Sequence, residues 1–564
     1  MASDNSNRLL DQLDQSVHSF AARDVAISEK LLVRLRSHNF KDAQSLIRFH
    51  EILLFLRAYP PSARVAKAAD SLLATFAQRV EELNKAGVDT SPLDHPDISG
   101  IAGTSVIDTF TYNIVHWLLE RHPTQIAFYW EWFEDENRLA ETWPRFMPLL
   151  EEDAFVEANV PYISWLSAAR DGKREIEWVI EQFAPLTLTD RERAELYDSQ
   201  KLYVRWKPSY RATRTGMRLP ACEIFYHRGP LIQRRELVLR DELEKSAPPL
   251  ERLSQIQGRR ILDMARQAST VRYRELYGFT HGDEKGVLRG HLGRGVDLFV
   301  VGVPPERRLP LRAYHAAMIF KNGVPVGYFE GLSLFERMES GFNLYYTFRD
   351  GETAWIYART LNVFRHLLQV TTFSLDPYQI GHENEEGIES GAFWFYRKLG
   401  FRPTNSDRLR LTENEEHKIA SRRRYRTPAR VLRQLAMGPM IFELDESKAR
   451  DWDRFSIRNI GFAVQRRMAK KYGGAADKIR LESVSSISSL LAIHPAHWSE
   501  VELRALTNLA LALNLIPEVD EWTKSEKERL VRIIRAKAGI DESRYLKLLQ
   551  QHPRLRSAMI GLGE

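Results

Sequence analysis

Apolar residues return at steps of three and four from Val65 through Ala69, Leu72, Phe76 and Val80 to Leu83, the spacing of a helix with one buried face. Ser62 stands ahead of the first turn as a candidate N-cap and Gly87 lies just past the last, so both stops of this helix are written into the chain. A second helix is predicted over residues 42–58, ended by Pro60-Pro61, and the Pro-, Asp- and Ser-rich stretch 87–100 reads as a loop. The aromatic cluster Phe128, Tyr129, Trp130, Trp132 and Phe133 is read as a packed helical seam rather than a stacking platform. Residues 1–215 are therefore expected to form a helical domain.

The texture changes after about residue 216. Residues 297–303, 313–320, 324–334 and 342–348 are short runs of β-branched and aromatic residues between turn signals, which predicts strands. Asn322-Gly323 joins two of them as a tight antiparallel hairpin. The last run leads through residues 349–354 into a helix with Trp355, Ala358, Leu361 and Leu368 on its apolar face. A strand at 371–375 and a helix from about Ser390 to Leu399 complete an α/β unit. The domain is expected to span 216–412, with a basic helical lead-in. From 413 to 564, patterns such as Leu503, Leu506, Leu509 and Leu530, Ile533, Ile534 predict a second helical domain. The fold class is thus multidomain α and α/β, a central mixed sheet with helices between N-terminal and C-terminal helical regions.

Composition narrows the setting. The 564 residues are enough for three or four domains, and 43% apolar and 10% aromatic content excludes a disordered chain. One cysteine, Cys222, cannot close an internal disulfide or build a thiolate zinc cage, and it reads as a small packed side chain. The polar, acidic start and the absence of any long apolar run predict a cytoplasmic protein without membrane insertion. Net charge is only +6, yet residues 205–275 hold sixteen Lys and Arg against eight Asp and Glu. The bland reading of that window is a solvated face laced with salt bridges, and neither it nor the Arg422–Arg426 run calls for nucleic acid. The glycine-rich stretch 286–295 lacks the Lys-Ser/Thr ending of a P-loop and reads as a turn. The interleaved arginines and tyrosines of 265–282 read as an intramolecular helical face.

The most informative stretch is 323–403. A strand that ends near Tyr346 and Phe348, followed by a turn opening a helix, offers free backbone N–H groups and the positive end of the helix dipole to a pyrophosphate. The turn reads Arg349-x-x-Glu352-x-Ala354, and downstream stands Glu389-x-x-Ala392-x-x-x-Tyr396-x-Lys398-x-Gly400-Phe401. Over roughly 297–410 the sequence resembles the GNAT superfamily of acyl-CoA-dependent N-acetyltransferases. In that family a Gln/Arg-x-x-Gly-x-Gly/Ala loop wraps the pyrophosphate and an Asn-x-x-Ala-x-x-x-Tyr-x-Lys-x-Gly-Phe segment supplies the tyrosine that protonates the departing thiolate. The resemblance implies a GNAT-like mixed sheet, acetyl-CoA or another acyl-CoA as co-substrate, and a small-molecule or peptide amine as acceptor. It also assigns Tyr346, Phe348, Arg349, Gly351, Thr353 and Ala354 to the cofactor and Tyr396 to the acid. Glu352 departs from the glycine of the pattern, and a carboxylate there would repel a diphosphate unless its side chain turns away.

Moving an acyl group to an amine also needs a base. Glu330, Glu339 (expected in the turn before the last strand), His382 and Glu383 are the candidates. The acidic loop that carries the last two could recruit a cationic acceptor or merely cap the next helix. No metal is expected, since His382-Glu383 has Glu386 where a zinc motif needs a second histidine. The alternative is a GNAT-like scaffold that has lost its chemistry, with helical domains that bind a protein or nucleic acid.

Overall fold

The computed structural model describes residues 2–147, 153, 161–220 and 223–564; Cys222 lies outside them. Helices and an open mixed sheet make up the chain. It divides into two compact units, Met1–Pro230 with Asp263–Leu276, and Leu231–Leu262 with Tyr277–Glu564. Among the described residues no helix is long and apolar enough to cross a membrane.

In the first unit the predicted Ser62 cap forms, accepting the Val65 N–H, and the helix expected over 42–58 is Ala43–Ala58 with Asp42 as its N-cap, accepting the Ser45 N–H. The periodic stretch after Ser62 is two helices, Ala63–Leu73 and Phe76–Lys85. Thr75 makes the break, because its hydroxyl donates to the Leu72 carbonyl and so competes with the helical ladder. The aromatic cluster is not helical. Phe128 ends β2 (Ile126–Phe128), which with β1 (Val106–Asp108) flanks β3 (Val204–Trp206), and Trp130–Trp132 is a single 3-10 turn. Phe128 packs in the core, where Trp117, Trp143 and Trp206 are also buried, while Trp132 is exposed. The Trp117 and Trp143 indoles donate to Asp263 (2.9 Å) and Gln200 (2.7 Å), as rings this large need for their one polar atom.

The second unit is built on nine strands: β4 (Leu250–Arg252), β5 (Leu288–Gly293), β6 (Val296–Gly302), β7 (Ala313–Lys321), β8 (Val324–Leu334), β9 (Arg337–Leu344), β10 (Thr372–Leu375), β11 (Arg402–Pro403) and β12 (Met440–Glu443). Their order is β11-β12-β10-β9-β8-β7-β6-β5-β4. Every neighbouring pair is antiparallel except β9 and β10. Asn322 and Gly323 both take positive φ (49° and 79°), so the β7–β8 hairpin turns as its Asn-Gly pair predicts. β7 is buried at all nine positions, which marks it as a strand covered on both faces.

Three expectations shift. The glycine-rich stretch 286–295 is mostly strand β5, with the turn confined to Arg294 and Gly295. The run 342–348 starts too late: the strand is Arg337–Leu344, and Tyr346–Phe348 is a 3-10 turn. The helical stretch after Arg410 is interrupted by β12, which enters the sheet between β10 and β11.

The β8–β9 turn is anchored by the C-terminal segment. Glu336 is buried, accepts the Trp452 indole N–H at 2.9 Å, and pairs with Arg556. Glu336→Ala removes the buried acceptor of the Trp452 indole and leaves Arg556 with Asp451 alone, and should cost about 2–4 kcal/mol. Denaturant unfolding of the full chain measures this; a loss below the range of ordinary surface substitutions would show that the anchor is dispensable.

Candidate functional site

β9 and β10 run parallel for three residue pairs only, Arg337–Thr372, Met338–Phe373 and Glu339–Ser374. Beyond Leu375 the chain leaves the sheet into a 3-10 turn, Pro377–Ile380, while β9 continues five residues to Leu344. The two strands therefore part, and the gap is a wedge. Gln379 reaches into it, with its side-chain amide donating to the Phe342 carbonyl (2.9 Å) and to the Tyr396 phenol oxygen (3.1 Å).

On one side the wedge opens into a cleft of about 950 Å³ bordered by Phe342 and Leu344 of β9, by Arg349, Asp350 and Thr353 of the turn, and by Tyr396. Tyr396 comes from the short helix Ala392–Arg397, is 3% exposed, and packs against Tyr357 and Phe401. Burial pushes its hydroxyl pKa well above the ordinary 10. Since Gln379 donates to the phenol oxygen, that bond leaves the phenol's own proton unengaged.

The corner before Trp355 is set by Glu352. This residue precedes the helix Thr353–Leu368, yet its carboxylate makes no capping bond to that helix. It is 0% exposed and turned inward, where it accepts from Arg294 (2.7 Å) and the Ile232 N–H (3.2 Å) and pairs with the fully buried Lys321 at 3.3 Å. Burial alone would raise the Glu352 pKa; the field of Lys321 and the Arg294 bond outweigh it and hold the carboxyl below its usual range. Burial pushes Lys321 down to about 8 despite its partner, so it stays mainly protonated at neutral pH. One carboxylate against two cations leaves a net positive charge behind the turn, and the Glu352 side chain does not cap the first N–H groups of the helix.

The other predicted cofactor contacts divide. Arg349 donates to the Leu344 carbonyl (3.1 Å) and pairs with Glu386, and Thr353 donates to the Arg349 carbonyl (2.7 Å). Gly351 continues the turn with its N–H on the Phe348 carbonyl. Phe348 and Ala354 are buried beneath it, while Tyr346 is 65% exposed under the Arg349 guanidinium. Asp350 and Glu386 put two carboxylates on the cleft rim, and Arg349, on the same rim, pairs with Glu386.

The candidate bases do not converge. Glu339 lies inside β9, opposite Leu332, not in a turn. It pairs with Arg312 (3.3 Å) and Arg337 (3.6 Å) and borders a second cleft of about 1150 Å³ with Asp376 and Arg454. Glu330 is held by the Tyr314 hydroxyl, and burial raises its pKa; it borders neither cleft. His382 and Glu383 sit in the turn after the Pro377–Ile380 segment with Glu383 84% exposed, and neither borders either of these two clefts. Among the described residues no group of three or more His, Cys, Asp or Glu could hold a metal ion.

Gln379, Asp350, Asp376, Arg294 and Lys321 were missed from the sequence. Lys321 carried a signal, as a lysine closing a strand whose last five preceding residues, Ala316–Phe320, are apolar. The basic window 205–275 dissolves into pairs within each unit: Arg214 with Glu51 and Arg218 with Asp70 in the first, Arg259 with Glu284 in the second.

Glu352→Gln should destabilise the chain by about 3–5 kcal/mol, because it strands Lys321 in a dry site, and Lys321→Met added to it should restore most of the loss. Equal effects of the single and double variants in denaturant unfolding would refute the pairing. The carboxyls of Glu352 and Glu336 are both held below their unfolded value near 4.5. The unfolded chain therefore binds more protons as pH falls through that value, and stability present above it is lost toward lower pH. Melting temperatures between about pH 6 and 3 should fall less steeply for the Glu352→Gln, Lys321→Met pair than for the parent chain.

No protein-family model matches the chain, and neither a curated protein nor a solved structure matches it.

Proposed function

We propose that the chain is an acyltransferase that moves an acetyl or other acyl group from acyl-CoA to an amine. The observation that carries this reading is the wedge between β9 and β10, with the Arg349–Ala354 turn at its mouth and Tyr396 inside it. The nucleotide's diphosphate would lie at the start of the Thr353–Leu368 helix, over the positive charge left by Lys321 and Arg294, and the thioester arm would run along Phe342–Leu344 toward Tyr396.

The second cleft supplies the acceptor side. The segment 376–379 contributes Asp376 and Pro377 to that cleft and Gln379 to the first, so one segment borders both hollows. Glu339 is the carboxylate that faces the acceptor. The amine nitrogen attacks the thioester carbonyl, the new C–N bond forms as the C–S bond breaks, the ammonium proton passes to Glu339, and the coenzyme thiolate takes its proton from Tyr396. Arg312 and Arg337 keep Glu339 in place. Glu330, bound to Tyr314, and the exposed His382 and Glu383 stay outside this sequence of steps.

The scaffold alternative draws on Asp350 and Glu386, whose charges oppose a polyanion at the cleft rim. Calorimetry with acetyl-CoA separates the two. Binding is expected, with Asp350→Asn tightening it about threefold to tenfold by removing one repulsion. No heat from either protein at high micromolar concentration would leave the scaffold reading. Tyr396→Phe should lower kcat about 100-fold or more with acetyl-CoA affinity unchanged; equal loss of both would make the tyrosine a packing residue only.

A further inference from the structure

The helix Ile457–Tyr472 has two unlike faces. Its apolar side chains Ile457, Ile460 and Val464 line a hollow shared with the segment 309–311 and the helix Glu500–Leu513. The ridge turned away from that hollow reads Arg458, Phe462, Arg466 and Lys470, four positions at successive steps of four residues, so the side chains follow one another at about 6 Å along the axis. All four are exposed, and among the described residues no carboxylate pairs with any of the three cations. Phe462 is 51% exposed and is the one exposed phenylalanine among the described residues.

A solvated helical face ordinarily carries its own compensating carboxylates, as Glu81 does for Lys85, Glu195 for Arg191 and Asp407 for Arg410. Residues 454–476 hold six Lys and Arg and no Asp or Glu. Arg466 and Lys470 repel each other across one turn, and Arg458 stands in the first turn, where the helix dipole disfavours a cation. The excess extends beyond the helix. Residues 418–480 hold seventeen Lys and Arg against six Asp and Glu, a net +11 in a chain of net +6, so the remainder sums to −5.

We infer that this ridge binds single-stranded nucleic acid, with Arg458, Arg466 and Lys470 along its phosphates and Phe462 under a base. A row of unpaired cations matches a repeating anion, and a ring set between two of them matches a strand whose bases are free to stack. A duplex keeps the faces of its bases from the ring. An anionic membrane calls for a broad apolar face, and this helix turns its own inward. None of the four side chains lines the clefts of the proposed acyl-transfer site, so this is a different surface.

Fluorescence anisotropy of a labelled oligothymidylate titrated with the full chain should show binding at low salt that weakens steeply as NaCl is added. Arg458→Gln, Arg466→Gln and Lys470→Gln combined should make the plot of log affinity against log salt shallower by about 2, at roughly 0.7 per phosphate contact. Phe462→Ala should weaken binding about fivefold to 100-fold at an unchanged slope, and Phe462→Tyr should keep it. These are exposed positions, so every variant should melt with the parent, and lost binding then means lost contact. No change of anisotropy with the parent chain, or the same affinity and slope in the triple variant, would overturn the inference. So would tighter binding to a duplex of the same length, to vesicles of phosphatidylcholine with phosphatidylserine, or to polyglutamate than to the single strand.

Discussion

The placement of one carboxylate governs the whole candidate site. Glu352 stands where a helix N-terminus could use an acidic cap, and an acidic cap would stabilise the dipole at the expense of a bound anion. Its side chain instead lies inward, between Arg294 from the β5–β6 turn and Lys321 from the end of β7. That choice ties the ends of two hairpins to the start of the Thr353–Leu368 helix. It also inverts the local electrostatics: a residue that as sequence looks like a repulsive charge at a phosphate turn becomes the minor partner in a cluster with net positive charge. Desolvating three ions is expensive, and the arrangement is tolerable only because the carboxylate is met by three donors at once.

Local features were legible from the chain and distant ones were not. Asn322-Gly323 gave a hairpin, Ser62 gave a cap, and the strand–turn–helix order around 337–375 was readable because each rests on neighbours a few residues apart. The start of β9 was missed because Arg337, Glu339 and Ser340 are polar on a strand whose two faces meet a charged cleft and the Tyr357 hydroxyl. β12 was missed because four residues inside a helical stretch carry no period long enough to stand out. The direction of Glu352 was beyond reach for another reason: its partners lie 58 and 31 residues away, and nothing local tells a carboxylate which way to turn. Tyr396 was singled out by motif, whereas Gln379, which bonds its phenol, belongs to a segment placed only once β10 is seen to leave the sheet.

The wedge itself needs an explanation, since two parallel strands that have paired for three residues would ordinarily continue. What stops them is on the far side of β10. All four residues of β10 pair with β12, from Thr372–Glu443 to Leu375–Met440, so β10 is held by a strand that arrives from the C-terminal part of the chain. Pro377 then removes a donor just where pairing with β9 would resume, and the Asp376 side chain accepts the Tyr378 N–H, fixing the turn. The same C-terminal part steadies the other edge. Arg337 lies over the Trp452 and Phe455 rings, and Glu336 is gripped by Arg556 and Trp452. β9 and β10 are thus each clamped from the C-terminal side, one by ring and ion contacts and one by a strand ladder. The gap between them is a consequence of those clamps rather than of weak pairing. The chain beyond residue 413 accordingly does more than flank the sheet: it clamps both strands of the wedge and walls the cleft beside Glu339.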